Sequence, residues 1–406
     1  MRRVAWVLLV LFAFAIPWEY SLDLGEPFGN VARIAGLLLL LAAVPALLQA
    51  GSLRRPGLLQ WLVLAFYLWS CCTCFWTIDQ VATLERMRAY FQVMMTVWLV
   101  WEFAESPEDL RLLLTAFVAG SWVLAILTLA NFASPAAVAT SQVRFAASGQ
   151  DPNDVARFLD IGFPCAALLL SGETNWGRRL LALGYLPIGL VAVVLTASRG
   201  GFLAAAVALL GCGVLLARRN PKVVLAGVLA LPVLAAALWY AVPAEIFERL
   251  ATIPEQLQSG DLNQRVGIWS AGWAAFVRSP LLGSGAGSFV SVAGLAPVDT
   301  AHNTALAIAV NSGLLGLFLA VGIVAAAIWA LLQTRGPLRL AMGIALLVWA
   351  ITAMVASVEE NRTTWLLFGL IALAGRLAEE QPNALEACFP DSAPEARLCE
   401  ARFSEL

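Results

Sequence analysis

Charge is scarce in this sequence. Of its 406 residues, 13% are Asp, Glu, Lys or Arg and 61% are hydrophobic, whereas a soluble domain is about a quarter charged and half apolar. A core of ordinary size cannot hide that much apolar surface, and the mean hydropathy is +0.81. Soluble, fibrous and disordered classes are therefore excluded for most of the chain. Strict apolar–polar alternation is also missing, which excludes a transmembrane β-barrel. What remains is helical: the apolar stretches run roughly 14–28 residues, the range a helix needs to cross a ~30 Å hydrocarbon layer. The net charge of −2 says nothing about partners, and no nucleic-acid partner is expected.

Chemically versatile side chains are equally sparse. There is one histidine, His302, and one lysine, Lys222, and the seven cysteines do not combine with that histidine into a zinc-site pattern. Walker, GxSxG and HExxH motifs are absent. The acidic residues nearest the expected outer mouth are Glu19, Asp23, Glu26, Asp79, Asp151, Asp154, Asp299, Glu359 and Glu360. None forms the paired or DxD-like pattern that a divalent metal needs, so no metal and no cofactor is expected. Glu359 and Glu360 read either as solvated charges or as groups that orient the histidine or an arginine.

The apolar runs give about twelve spans, at roughly 3–17, 31–49, 58–76, 89–103, 112–132, 154–171, 180–196, 201–217, 223–240, 303–333, 340–358 and 364–378. The first follows Arg2-Arg3 like a secretory signal, but no clear small-residue cleavage site follows it, so it is kept as a span. Basic residues such as Arg54, Arg55, Arg111, Arg178, Arg179, Arg218, Arg219, Lys222, Arg335, Arg339 and Arg376 fall at alternate ends of the spans. The positive-inside rule makes that side cytoplasmic and puts both termini there. The expectation is one all-α polytopic membrane domain over residues 1–378. Its large outer loop is 241–302, between spans nine and ten, and a short, polar, flexible cytoplasmic tail covers 379–406. No separate soluble domain, low-complexity linker or internal repeat is evident, and no broken helix of the kind common in transporters.

The outer side carries a second basic set: Arg33, Arg86, Arg88, Arg144, Arg157, Arg199, Arg249, Arg265, Arg278 and Arg362. One reading is compositional, since long outer loops escape the charge rule. The other is that several converge on an anion, because guanidinium forks bind phosphate oxygens bidentately and keep their charge when partly buried. Arg199 argues best for the second. It sits in the tight turn Thr196-Ala197-Ser198-Arg199-Gly200-Gly201 between two apolar runs, at a depth where a charge is costly and usually functional.

Within the large loop, residues 261–280 read as an amphipathic helix, capped by Asp261 or Asn263 and stopped by Pro280. Val266, Trp269, Trp273, Phe276 and Val277 recur on one face, which suits a helix lying on the bilayer surface. Arg265, in its first turn, is placed to point back into the bundle mouth. Gly283, Gly285 and Gly287 then alternate, permitting a tight path and a close approach of backbone N–H groups to a ligand. No βαβ unit surrounds them, so they are not a dinucleotide fingerprint. His302-Asn303 opens the tenth span. A lone histidine there is either a structural hydrogen-bonder or, with its pKa near neutrality, a base.

The ordered set Arg265, Trp269, Pro280, Leu282-Gly283, Gly285, Gly287, Phe289, His302-Asn303 and Leu306, with Ser198-Arg199-Gly200-Gly201 at the end of the seventh span, resembles the bacterial O-antigen ligase and polymerase superfamily. The turn Gln150-Asp151-Pro152-Asn153-Asp154 resembles the Asn-containing turn before the sixth span of such proteins. The resemblance implies a glycosyltransferase with a GT-C-like membrane architecture in the bacterial inner membrane and a periplasmic site. Its implied partners are an undecaprenyl-diphosphate-linked O-antigen, lipid A–core oligosaccharide and membrane lipid. Glycan would pass to a sugar hydroxyl of the core, completing lipopolysaccharide, by one inverting, metal-independent displacement. His302, Arg265 and Arg199 are the expected catalytic residues. Arg144, Arg157, Arg86, Arg88, Asn303 and Trp269 are expected to bind diphosphate or glycan. O-antigen polymerase, protein O-oligosaccharyltransferase and a non-enzymatic carrier of lipid-linked glycan are the alternatives.

Overall fold

The computed structural model describes residues 1–25, 29–134, 143–172, 175–259, 265–296 and 299–390. Glu26, the caps Asp261 and Asn263, and the tail from 391 onward lie outside them. Twelve long helices follow the expected spans: α1 Arg2–Ala15, α2 Val31–Ala50, α3 Leu58–Cys72, α4 Gln80–Phe103, α5 Pro107–Ala133, α6 Pro152–Gly172, α7 Trp176–Leu195, α8 Arg199–Ala217, α9 Pro221–Ala241, α14 Thr304–Gln333, α15 Gly336–Ala353 and α16 Arg362–Glu380. Ten of the described helices, α1 counted with the 3-10 turn Ile16–Ser21 that follows it and α3 with its own, are long and apolar enough to cross a membrane. The other two expected spans, α4 and α16, carry charged residues at their ends. The chain is an all-α integral membrane protein.

Helix starts obey local chemistry. Asp79, Ser106, Asn175, Ser198 and Asn303 each accept a first-turn backbone N–H as N-caps of α4, α5, α7, α8 and α14, satisfying donors that have no partner within the helix. Burial then sorts the helices. α6 is the axis: 94% of its apolar window is buried, against none of α9. It packs on α5, α7, α8 and α15, while α16 fills the space between α4 and α14. Two glycines allow close approaches of α7 and α8 to α6. A Cβ on Gly162 would lie 2.3 Å from the Tyr185 hydroxyl, and one on Gly201 would lie 2.3 Å from the Ala156 methyl. Tyr185 uses that space to donate to the Leu159 carbonyl at 2.7 Å.

The large loop folds as α10 Ala244–Ala251, α11 Ile253–Ser259, α12 Arg265–Arg278 and α13 Phe289–Ala293. The expected amphipathic helix is present as α12, but its buried side is not the tryptophan face. Gly272 and Ala275 are buried, with Phe289 and Leu306 close enough to collide with any Cβ at Gly272. Val266, Trp273 and Val277 are exposed. Small residues make the contact because they bring the helix against α13 and α14, leaving the bulky apolar side chains outward, where a membrane surface suits them.

Two expectations change. α14 is a broken helix: Gly313, at φ +66° and ψ −168°, separates Thr304–Ser312 from Leu314–Gln333. The carbonyls freed by the break are met by the glycine loop. Ser284 N–H donates to Val310 O at 2.9 Å and Gly285 N–H to Asn311 O at 3.0 Å, while the Trp69 indole donates to Ser312 O at 2.8 Å. The three loop glycines all have positive φ, +71°, +113° and +81°, which favours glycine. The Ser284 and Gly285 amides thus serve α14 and not a ligand. In the tail, residues Pro382–Cys388 form α17, and Arg111 donates to the Cys388 carbonyl and stacks over Phe389. The start of the expected flexible tail is therefore helical and docked on α5.

Candidate active site

Three non-glycine residues among those described have positive φ: Val143 at +50°, Ala197 at +47° and His302 at +46°. Strained backbone of this kind concentrates at functional sites. Each lies beside or at a residue singled out by its chemistry: Val143 before Arg144, Ala197 two residues before Arg199, and His302 itself.

The turn between α7 and α8 builds the first wall. Ser198 caps α8 through Gly201 N–H, and its hydroxyl donates to Asn153 Oδ1 at 2.9 Å. The same Asn153 oxygen accepts Arg144 Nη2 at 2.8 Å, and Arg144 Nε donates to Thr196 O at 2.9 Å. Two reciprocal bonds join this turn to α10: Arg199 Nε to Arg249 O at 3.2 Å and Arg249 Nε to Ala197 O at 3.0 Å. Arg265 enters from the first residue of α12, and His302 from the residue before the α14 cap.

The charges of Arg249, Asp151, Arg199 and Arg265 all bear on Arg144, and those of Arg265, Asp151, Asp299 and Asp154 on His302. Burial, reinforced by Arg249, holds Arg144 down to about 10. Burial and the Arg199 charge lower Arg249 and Arg265 as well. Four guanidinium groups thus share one region with Asp151, Asp154 and Asp299 as the carboxylates that bear on it or on His302, so positive charge is concentrated there, as an anion site requires. Burial and Arg265 also lower the His302 pKa from its ordinary value, so the ring is neutral at neutral pH. Its Nδ1 lies 3.2 Å from Thr300 Oγ1.

The other expected site residues are placed differently. Arg157 is buried in α6, with Nη2 on Asp154 at 2.6 Å, and meets the cluster through that carboxylate. Asn303 spends its side chain on capping, accepting Leu306 N–H at 2.9 Å and donating to Met354 O at 3.3 Å. Trp269 donates from its indole to Ala301 O at 3.0 Å, fixing the backbone just before His302. Arg86 is ion-paired with Glu360 and with Glu359, the latter at 3.8 Å, and Arg88 is exposed on the same helix. The Glu359–Glu360 pair therefore orients an arginine and not the histidine. Arg249 and Asn153 belong to the cluster more directly than their sequence context suggests: Arg249 stood out only as one outer basic residue, and Asn153 only within its turn. The described residues contain no group of three or more His, Cys, Asp or Glu able to hold a metal.

Residues 184–321 match the family model described as O-antigen ligase. This stretch is similar to the O-antigen ligase family domain. It runs from α7 into α14 and contains Arg199, Arg249, Arg265 and His302, while Arg144 and Asn153 join the matched stretch from the segment before it. The match supports membership of the O-antigen ligase superfamily. No curated protein matches the chain.

Proposed function

We propose that the chain is an O-antigen ligase that transfers glycan from undecaprenyl diphosphate to a hydroxyl of lipid A–core at the periplasmic face of the bacterial inner membrane, with both termini cytoplasmic. The observation that carries this reading is the convergence of Arg144, Arg199, Arg249 and Arg265 beside the single histidine, within and against the O-antigen ligase domain. Arg199 and Arg265 grip the diphosphate and follow the charge that develops on it as the glycosidic bond breaks. Arg144 and Arg249 add charge and hold the turn, and Arg157 supports through Asp154. In the tautomer that donates Nδ1–H to Thr300 Oγ1, His302 has Nε2 left to take the proton from the acceptor hydroxyl. The hydroxyl oxygen attacks the anomeric carbon opposite the diphosphate, so configuration inverts in one displacement. Diphosphate is already a good leaving group, so the scheme needs neither a general acid nor a metal.

The test is reconstitution of the purified protein with lipid-linked glycan and rough lipopolysaccharide in EDTA. Joined product is expected, and loss of the reaction in EDTA overturns the metal-free scheme. The acceptor is tested separately. A deletion strain is expected to make rough lipopolysaccharide while accumulating long lipid-linked polymer, whereas core carrying a single repeat unit identifies a polymerase. The break in α14 favours a second reading, a lipid-linked glycan carrier. Its freed carbonyls are met by the protein's own amides, which weakens that reading, and transbilayer movement without covalent product would establish it.

A further inference from the structure

At the end of the bundle away from His302, a groove of about 580 Å³ opens between α8 and α14, floored by α15. Its length is apolar: Val214 from α8, Ile328 and Leu332 from α14, and Leu347 from α15 line it, and all four are exposed. At its mouth stand Arg218, exposed just past α8, and Arg339, in the first turn of α15, with the buried Arg219 behind Arg218. No lining residue is acidic. Arg339 donates Nε to Thr334 O at 2.6 Å and Nη2 to Leu332 O at 2.7 Å. These bonds anchor the guanidinium at the end of α14 and use only two of its five N–H donors.

We propose that this groove binds an anionic phospholipid from the membrane leaflet at that end, with its acyl chain along the apolar wall and its phosphate between Arg218 and Arg339. An exposed apolar trough ending in one sign of charge matches a phospholipid's two parts at the spacing the molecule imposes, and basic recesses between membrane helices suit acidic headgroups. A soluble phosphate would leave the apolar wall uncovered, and a zwitterionic lipid would leave the charges of Arg218 and Arg339 uncompensated. The bound lipid fastens together α8 and α14, the helices that begin beside Ala197 and His302 at the opposite end.

The experiment is native mass spectrometry of the full chain. It is released from nanodiscs containing equal phosphatidylglycerol and phosphatidylcholine of identical acyl chains, with glycerol phosphate as the tail-less control. The wild type is expected to retain phosphatidylglycerol over phosphatidylcholine by at least about five-fold, the preference that about one kcal/mol of headgroup attraction gives. The triple variant Arg218→Gln, Arg219→Gln, Arg339→Gln is expected to lose the preference. Gly343→Leu attacks the apolar part instead: it puts a side chain into the groove from a position where a Cβ meets Leu331 only at 3.6 Å, and it is expected to lower occupancy by both lipids. Equal retention of the two lipids by the wild type overturns the proposal without reference to any variant. So does an unchanged preference in the triple variant, full occupancy in Gly343→Leu, or displacement of the lipid by glycerol phosphate.

Discussion

Two arginine clusters lie at the same end of this bundle, built from the same residue type, and are arranged in opposite ways. In one, Arg86 is paired with Glu359 and Glu360, and Arg362 is paired with the buried Glu19 and bonded to Gln92 at 3.4 Å. Those charges cancel and tie α4 and α16 to the turn after α1. In the other, Arg144, Arg199 and Arg249 bond to backbone carbonyls and to Asn153, and the Arg265 charge bears on Arg144 beside them. A carbonyl fixes a guanidinium in place without neutralising it. The first arrangement spends its charge on the fold, and in the function proposed above the second leaves the charge of Arg144, Arg199 and Arg265 for the diphosphate.

The comparison breaks most visibly at the second cluster. Arg199→Ala or Arg265→Ala is expected to lower kcat/KM for glycan transfer by ~10²–10³-fold, the usual cost of removing one donor to developing charge. Lys at either position is expected not to rescue, because a point charge lacks the fork. Steady-state kinetics on purified variants reads this out, and full activity in Arg265→Lys would show that bulk charge suffices. His302→Ala is expected to cost ~10²-fold with an unchanged melting temperature, in the range for a lost general base. Because burial and Arg265 lower the His302 pKa, the acid limb of the wild-type rate profile is expected below pH ~6.5, the ordinary histidine value. A limb above that value would contradict the assigned environment.

At the first cluster the effects move from rate to stability. Arg86→Ala leaves Glu359, 4% exposed, without its cation. We expect a drop in melting temperature, with recovery when Glu359→Gln and Glu360→Gln are added, and activity per folded molecule within a few-fold of wild type. The smallest effect concerns pH. Burial, with Glu360 adding to it, raises the Glu359 carboxyl to about 7, Arg86 opposing. A carboxyl raised on folding contributes stability while it stays protonated and loses that contribution as pH rises through its folded value. The melting temperature of the wild type is therefore expected to fall between pH ~4.5 and ~7 relative to Glu359→Gln, and parallel curves would count against the assignment.

Which parts of this arrangement are legible in the sequence follows from range. Long apolar runs announce the helices because a membrane span is a local property, so α5 and α8 come out within a few residues of expectation. Arg199 and His302 stand out because a charge at membrane depth, or a lone histidine at a span start, is rare wherever it points. The partners of Ser284 and Gly285 are illegible, since their amides serve carbonyls at Val310 and Asn311 exposed by a break only Gly313 marks. Arg86 gives no local sign that its carboxylates lie at Glu359 and Glu360. Arg249 sits in an eight-residue helix whose position depends on bonds to Ala197 and Arg199. The outward tryptophan face of α12 is legible from hydropathy, whereas its packing side is not, because contact with Phe289 rewards Gly272, which hydropathy does not mark.

The claim that charge left unneutralised marks the diphosphate site is tested most directly by the affinity of undecaprenyl diphosphate, without glycan, for the protein in nanodiscs, measured for the wild type, Arg265→Lys and Arg86→Lys. The account predicts at least about ten-fold weaker binding for Arg265→Lys, the cost of about 1.4 kcal/mol, and wild-type binding for folded Arg86→Lys. Equal losses in both variants, or a loss confined to Arg86→Lys, would contradict it.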